Sequence, residues 1–170
     1  MEELKKYSEK TSEINMEIQK RVLVLSSLMQ ISSLISQGRR LDEIVKLTVE
    51  KARLVAGSDT AYFFFKDPES GSLFMRATDG GDTQSLLAIS MDSVKSVFDR
   101  VLRNNKPLIV DEANPLPDAS QEVFSAYFKL KNTAAQPVNF KGKLIGILGI
   151  GSSQEKFSYK KDDIDLLDIF

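Results

Sequence analysis

Three glycines, Gly146, Gly149 and Gly151, fall within six residues of the stretch KLIGILGIGSS (143–153), and acidic, helix-like sequence follows. Glycines at a strand-to-helix turn can cradle a phosphate, because the bare backbone turns its N–H groups onto the anion. The spacing here does not suit that chemistry. A dinucleotide fingerprint runs G-x-G-x-x-G, whereas this run reads G-x-x-G-x-G with its first two glycines inside the apolar segment Leu144 to Ile150. A P-loop closes on Gly-Lys-Ser or Gly-Lys-Thr, and this run closes on Gly-Ser-Ser. Glycine within a strand instead marks a place where a neighbour comes close, and the terminal helices packing on the sheet are the neighbours expected.

Two further sets of residues could do chemistry. Asp162, Asp163 and Asp165 could hold a metal or transfer protons, but at the start of a helix they also complement its dipole. Asp111 and Glu112 follow a strand end and face either a pocket or solvent. The aromatics Tyr62, Phe63, Phe64 and Phe65 alternate between two faces of a strand, and Phe124, Tyr127 and Phe128 form a second group. Such groups line a ligand cavity or simply fill a core. The chain has no Cys and no His, so it has no thiolate, no disulfide, no Ser-His-Asp triad and no imidazole for a metal or haem. Carboxylate, Lys, Ser, Thr and Tyr chemistry remains, or none, and no constellation of these stands out as catalytic.

The elements that must position these residues are legible from spacing. Met1 to Gln37 contains no Gly or Pro, and a 3–4 stripe runs through Leu4, Tyr7, Thr11, Ile14, Ile18, Arg21, Leu25, Leu28, Ser32 and Ile35. This predicts one long helix, coiled-coil-like with polar breaks at Thr11, Arg21 and Ser32. Residues 1–21 are expected to project, and residues 22–170 to form the globular part. A second helix is expected over 41–56, ended by Gly57. Strands are expected at 60–66, 73–78, 108–110, 133–140 and 144–151, with a short extended segment at 86–91. Helices are expected at 93–104, at 120–130 and from Lys160 to the last residue, where the uncapped ending suggests a longer parent protein. Strands arrive as hairpins, so the class is α+β with a largely antiparallel sheet. A net charge of −1 carries no basic surface for nucleic acid, and no apolar run approaches the roughly 20 residues that span a bilayer, so a cytoplasmic protein is expected.

Four segments in order resemble a GAF domain, the small-ligand sensor module of histidine kinases and cyclases. They are GSDTAYFFFKD (57–67), NNKPLIVDEA (104–113), QPVNFKGKLIGILGI (136–150) and YKKDDIDLL (159–167). The resemblance covers Val22 to Phe170. It implies N- and C-terminal helices on one face of the sheet and short helices over a pocket on the other. It implies a pocket lined by Tyr62, Phe64, Asp79, Val97, Phe98, Phe124 and Phe128. It also implies a small-molecule ligand of unknown identity, no catalysis, and a homodimer paired through the N- and C-terminal helices. No metal or other cofactor is expected. The departures bear on the ligand: Ser96 and Asp99 stand where many relatives have glycine, no Asn-Lys pair precedes Tyr159, and without Cys or His the bilin and haem types are excluded. A module with a filled core and no ligand is the alternative.

Overall fold

The computed structural model describes residues 1–81, 87, 95–154 and 158–170. The extended segment expected at 86–91 and the start of the helix expected at 93–104 lie outside that set, apart from Leu87. The chain divides into two compact units, Met1–Arg39 and Arg40–Phe170.

The first unit is one helix, α1 (Glu2–Ser36). The absence of Gly and Pro lets the backbone ladder run uninterrupted for about 52 Å at 1.5 Å per residue. Thr11 and Ser36 donate their hydroxyls to the carbonyls of Tyr7 and Ser32, so these polar residues are satisfied within the helix. At its end Gly38 takes φ 66°, its N–H donates to Ile35 and that of Arg39 donates to Leu34. Those two bonds close a Schellman motif and consume carbonyls the helix would otherwise leave open.

The second unit follows in the order α2 (Leu41–Ala56), β1 (Thr60–Lys66), β2 (Leu73–Asp79), α3 (Asp99–Asn104), β3 (Leu108–Val110), α4 (Asp118–Phe128), β4 (Asn132–Phe140), β5 (Lys143–Ser152) and α5 (Lys161–Ile169). The strands form one sheet in the order β2-β1-β5-β4-β3, and every neighbouring pair is antiparallel. β1 sits inside the sheet because TAYFFFK is apolar on both faces, a pattern that only two-sided burial rewards. The hairpin β4–β5 turns on Lys141 and Gly142, both at positive φ, as a two-residue turn of this hand requires.

Strand alternation then sorts the core into two layers. Ala61, Phe63, Ala134, Leu148 and Ile150 face Val49 and Ala52 of α2 and Leu167 of α5. Tyr62, Phe64, Ala135 and Ile147 face Val101 of α3 and Phe124 and Phe128 of α4. The expected division therefore holds for α2 and α5 on one face and the short helices on the other.

α3 begins at Asp99, later than the expected helix, and α4 begins at Asp118, two residues earlier than expected. Two of the three acids expected at the start of α5 have distinct roles. Asp163 accepts the Lys160 N–H at 2.8 Å and caps the helix, while Asp162 adds charge to the first turn. Gly57 ends α2 at φ 63°, and a β-carbon there would find nothing within 4 Å, so its value is conformational alone. Gly57→Ala is expected to cost about 1–2 kcal/mol in urea unfolding with an unchanged m-value. An unchanged midpoint would show that the left-handed cap contributes nothing.

Candidate functional site

Tyr62 organises the face covered by α3 and α4. Its side chain leaves β1 and crosses β5 to reach β4, so the ring lies flat over Gly149, its register partner. A β-carbon at Gly149 would stand 2.2 Å from the Tyr62 ring, inside any tolerable contact. The Tyr62 hydroxyl meets Thr133 Oγ1 at 2.6 Å, and Thr133 donates to the Ile150 carbonyl at 2.7 Å. Thr133 has one proton and spends it on Ile150, so Tyr62 must be the donor to Thr133. Burial pushes the Tyr62 phenol far above its ordinary value, against the smaller opposing effect of the Thr133 hydrogen bond. Held this way it is a neutral donor across the physiological range.

Around it the other aromatics close. Phe64 and Phe128 lie 5.2 and 5.6 Å from Tyr62 between ring centres, and Phe98 lies 6.1 Å away. Phe124 stacks on Phe128 at 5.0 Å. These are the offset and edge-on distances at which rings attract. Val97 is buried in the same layer. Six of the seven expected pocket residues, Tyr62, Phe64, Val97, Phe98, Phe124 and Phe128, thus come together in one packed layer.

Asp79 is placed elsewhere. It pairs with Ala61 in the β1–β2 register, which puts it on the opposite face, and Arg53 of α2 donates its Nε–H to the carboxylate. An open groove of about 580 Å³ lies beyond the far end of β1, bordered by Lys66, Pro68, Glu69 and Lys143, and none of the seven lines it.

The other glycines of KLIGILGIGSS follow the same rule as Gly149. A β-carbon at Gly151 would meet Leu130 at 2.4 Å, and one at Gly146 would meet the Phe64 carbonyl at 2.3 Å and the Phe63 ring. Side chains and backbone of the sheet layers press on all three, not the terminal helices expected from sequence. The reason is that side chains from neighbouring segments lie down across β5 and need its Cβ positions empty.

Sequence reasoning left one polar arrangement unseen. Asp111 is neither in a pocket nor exposed: it is buried, and its Oδ1 accepts the N–H groups of Ala113 and Asn114 and the Asn114 side-chain amide. Its Oδ2 accepts the Tyr159 N–H at 3.2 Å, tying the end of β3 to the segment before α5. Tyr159 in turn donates its hydroxyl to Asn132 Oδ1 at 2.9 Å. Burial acts to raise the Asp111 pKa, but the hydrogen bonds from Asn114, Tyr159 and Ala113 outweigh it and hold the carboxyl below its ordinary value. Asp59 is likewise held low, chiefly by the Ser153 N–H and then its hydroxyl. The only sequence signal for these ties was an acid at a strand boundary, which does not reveal its partner.

Comparison with known proteins places this geometry. The profile of the GAF domain family matches residues 38–170. A phycocyanobilin-bound GAF domain from a cyanobacterial phytochrome is 20% identical, with a TM-score of 0.71 over 86% of this chain and 88% of that one. A GAF domain from a phosphoenolpyruvate-protein phosphotransferase of Coxiella burnetii is 19% identical, with a TM-score of 0.66 over 85% of this chain and 86% of that one. Residues 122 to 287 of a methyl-accepting chemotaxis protein are 21% identical, with a TM-score of 0.68 over 82% of this chain and 88% of that one. No curated protein matches the chain.

Gly149→Ala is expected to destabilise the fold by about 1–3 kcal/mol, and Gly149→Val by more, as overpacking against the Tyr62 ring. In a Tyr62→Ala background the same Gly149→Ala change is expected to cost far less, and strict additivity in that cycle would sink the contact. The lowered Asp111 pKa gives stability that is complete above the unfolded carboxyl value near roughly pH 4 and is lost as pH falls towards the folded value. Asp111→Asn is therefore expected to lower Tm at neutral pH and to flatten the decline of Tm in acid; an acid limb as steep as the parent's would show that Asp111 is not responsible.

Proposed function

This chain belongs to the GAF domain family, and on that premise we propose that it is the non-catalytic sensory module of a larger, cytoplasmic signal-transduction protein. Family members serve as sensory and regulatory modules in signalling proteins such as kinases and chemotaxis proteins. The observation that carries the reading for this chain is the aromatic layer of Tyr62, Phe64, Phe98, Phe124 and Phe128. Two short helices cover it, of six and eleven residues, and short elements open at lower cost than the sheet beneath them. A small, flat, largely apolar molecule would enter between the rings and the short helices and hydrogen-bond the Tyr62–Thr133 pair. Because the rings fill the space when they pack on one another, entry would have to shift α3 or α4, which is the differential contact a two-state response needs. The change would pass to an effector through the terminal helices of a homodimer, with residues 1–21 projecting from the sensory part. Asp79 is held by Arg53 on the opposite face of the sheet, away from these rings.

The absence of chemistry in this reading is supported by how the reactive groups are spent. The Tyr62 phenol is a neutral donor, Asp163 caps a helix, and Asp111 and Asp59 tie loops. Among the described residues no helix is long and apolar enough to cross a membrane.

A second reading is favoured by the same layer: rings at 5.0 to 6.3 Å are already fully packed, as in a ligand-free dimerisation module. Thermal shift against a metabolite library separates the two. A ligand at a hundred times its Kd is expected to add about 2.7 kcal/mol, or roughly 5–10 °C in Tm, and Phe98→Ala should change that response. If no compound moves Tm and no small molecule co-purifies with the folded chain, the ligand reading falls and the ligand-free dimerisation module stands in its place.

A further inference from the structure

At one end of the sheet β1 and β5 separate, and the opening carries unspent charge. The β1–β5 ladder stops at Phe65 and Gly146. β1 runs on beside β2, through Lys66 opposite Leu73 and a bond from the Asp67 N–H to the Ser72 carbonyl at 2.9 Å. Pro68 then turns the hairpin, having no N–H with which to continue a ladder. β5 already begins at Lys143, where it pairs with Phe140 of β4. Its first residues therefore have a strand on one side and the groove of about 580 Å³ on the other. Successive residues of a strand direct their N–H and C=O to opposite edges, so one of Lys143 and Leu144 presents both groups to that groove.

Lys66 and Lys143 both border the groove, and among the described residues neither ammonium has an ion-pair partner. Asp67 does not balance them, because its Oδ2 accepts the Ser70 N–H at 2.7 Å and the Ser70 hydroxyl at 2.6 Å inside the turn. Glu69, exposed on that turn, is the one acid on the rim among the described residues. Lys141, at the tip of the β4–β5 hairpin, adds a further positive charge, stacked over the Phe140 ring at 5.3 Å. The rim is therefore positive on balance and suited to an anion.

The walls narrow the kind of anion. An inorganic ion would satisfy the lysines but leave unused the open strand edge and the apolar walls of Phe65 and Leu144. An extended peptide with acidic side chains uses all three. Its backbone pairs with the edge, its carboxylates meet the ammonium groups, and an apolar side chain covers the wall. A cleft of this volume holds a segment of a few residues.

We infer that the open edge of β5 at Lys143 and Leu144 is a docking site for an extended acidic segment of a partner protein, which adds a short strand beside β5 and sets carboxylates on Lys66 and Lys143. The contact is made to the sheet itself, between the tips of two hairpins, and not to α3 or α4. None of the residues bordering the groove belongs to the layer around Tyr62, so the site stands whether or not that layer takes a ligand.

The test titrates the full chain into a fluorescein-labelled Asp-Val-Glu-Val peptide and reads fluorescence polarisation. Comparators are a Lys-Val-Lys-Val peptide, copies of the acidic peptide N-methylated at either central residue, and free citrate. The acidic peptide is expected to bind saturably and to weaken as salt is added, and the basic one not to bind. Lys66→Gln and Lys143→Gln are each expected to weaken binding about tenfold, and Glu69→Gln to strengthen it, with Tm unchanged in all three. Lys66→Arg is expected to retain binding, which separates charge from packing at that half-buried position. At least one N-methylated copy is expected to lose most of its affinity, and citrate to compete weakly. Undiminished binding by both N-methylated copies, or full displacement by citrate, would overturn the added strand in favour of a small-anion site. Unchanged affinity in Lys66→Gln and Lys143→Gln, or no saturation up to about 1 mM, would overturn the site altogether.

Discussion

The ring of Tyr62 lying across Gly149 is the contact on which the rest of the second unit depends. It lets one side chain from β1 reach β4, so three strands are fastened through a single phenol as well as through their backbone ladders. The strand beneath must supply no Cβ at that point, and β4 must supply a small residue alongside and an acceptor beyond, met by Ala135 and Thr133. With the ring laid flat, Phe64, Phe98 and Phe128 can stand against it at angles instead of facing empty space. The short helices then have an aromatic floor to rest on. Neutral polar chemistry at the far end of the ring keeps a hydroxyl in a buried layer without an orphan donor.

The opposite face has its own tyrosine, and the two converge on adjacent residues. Tyr62 donates to Thr133 from one side of β4, while Tyr159 donates to Asn132 from the other. Tyr159 is also the residue whose N–H is held by Asp111, and the N–H of the next residue, Lys160, is held by the cap of α5. The start of β4 is therefore a shared anchor for both layers and for the root of α5. In a strand of alternating faces this requires two consecutive polar residues at a strand end, an arrangement that would be costly in the middle of a sheet.

Much of this architecture was legible in the sequence because it follows from periodicity. The two-sided apolar run of TAYFFFK marked β1 as interior, Gly57 marked the end of α2, and Lys141-Gly142 marked the hairpin. Glycine order alone dismissed a phosphate loop. What periodicity does not carry is which object presses on a glycine, and in place of the expected helices stood the rings of β1 and the side chain of Leu130. Nor does it carry the partner of a buried carboxylate, since Asp111 and Tyr159 are 48 residues apart and joined through a main-chain N–H that has no sequence signature.

The chain contains four tyrosines and no tryptophan. Its near-ultraviolet absorption and emission therefore belong mainly to Tyr7, Tyr62, Tyr127 and Tyr159. Tyr62 and Tyr159 are buried, one in each layer, and each donates a hydrogen bond to a neighbouring residue of one strand. Any rearrangement of the aromatic floor or of the segment before α5 changes the polarity and bonding around a phenol, without the dominating signal an indole would impose. The protein carries a built-in optical reporter on each side of its sheet.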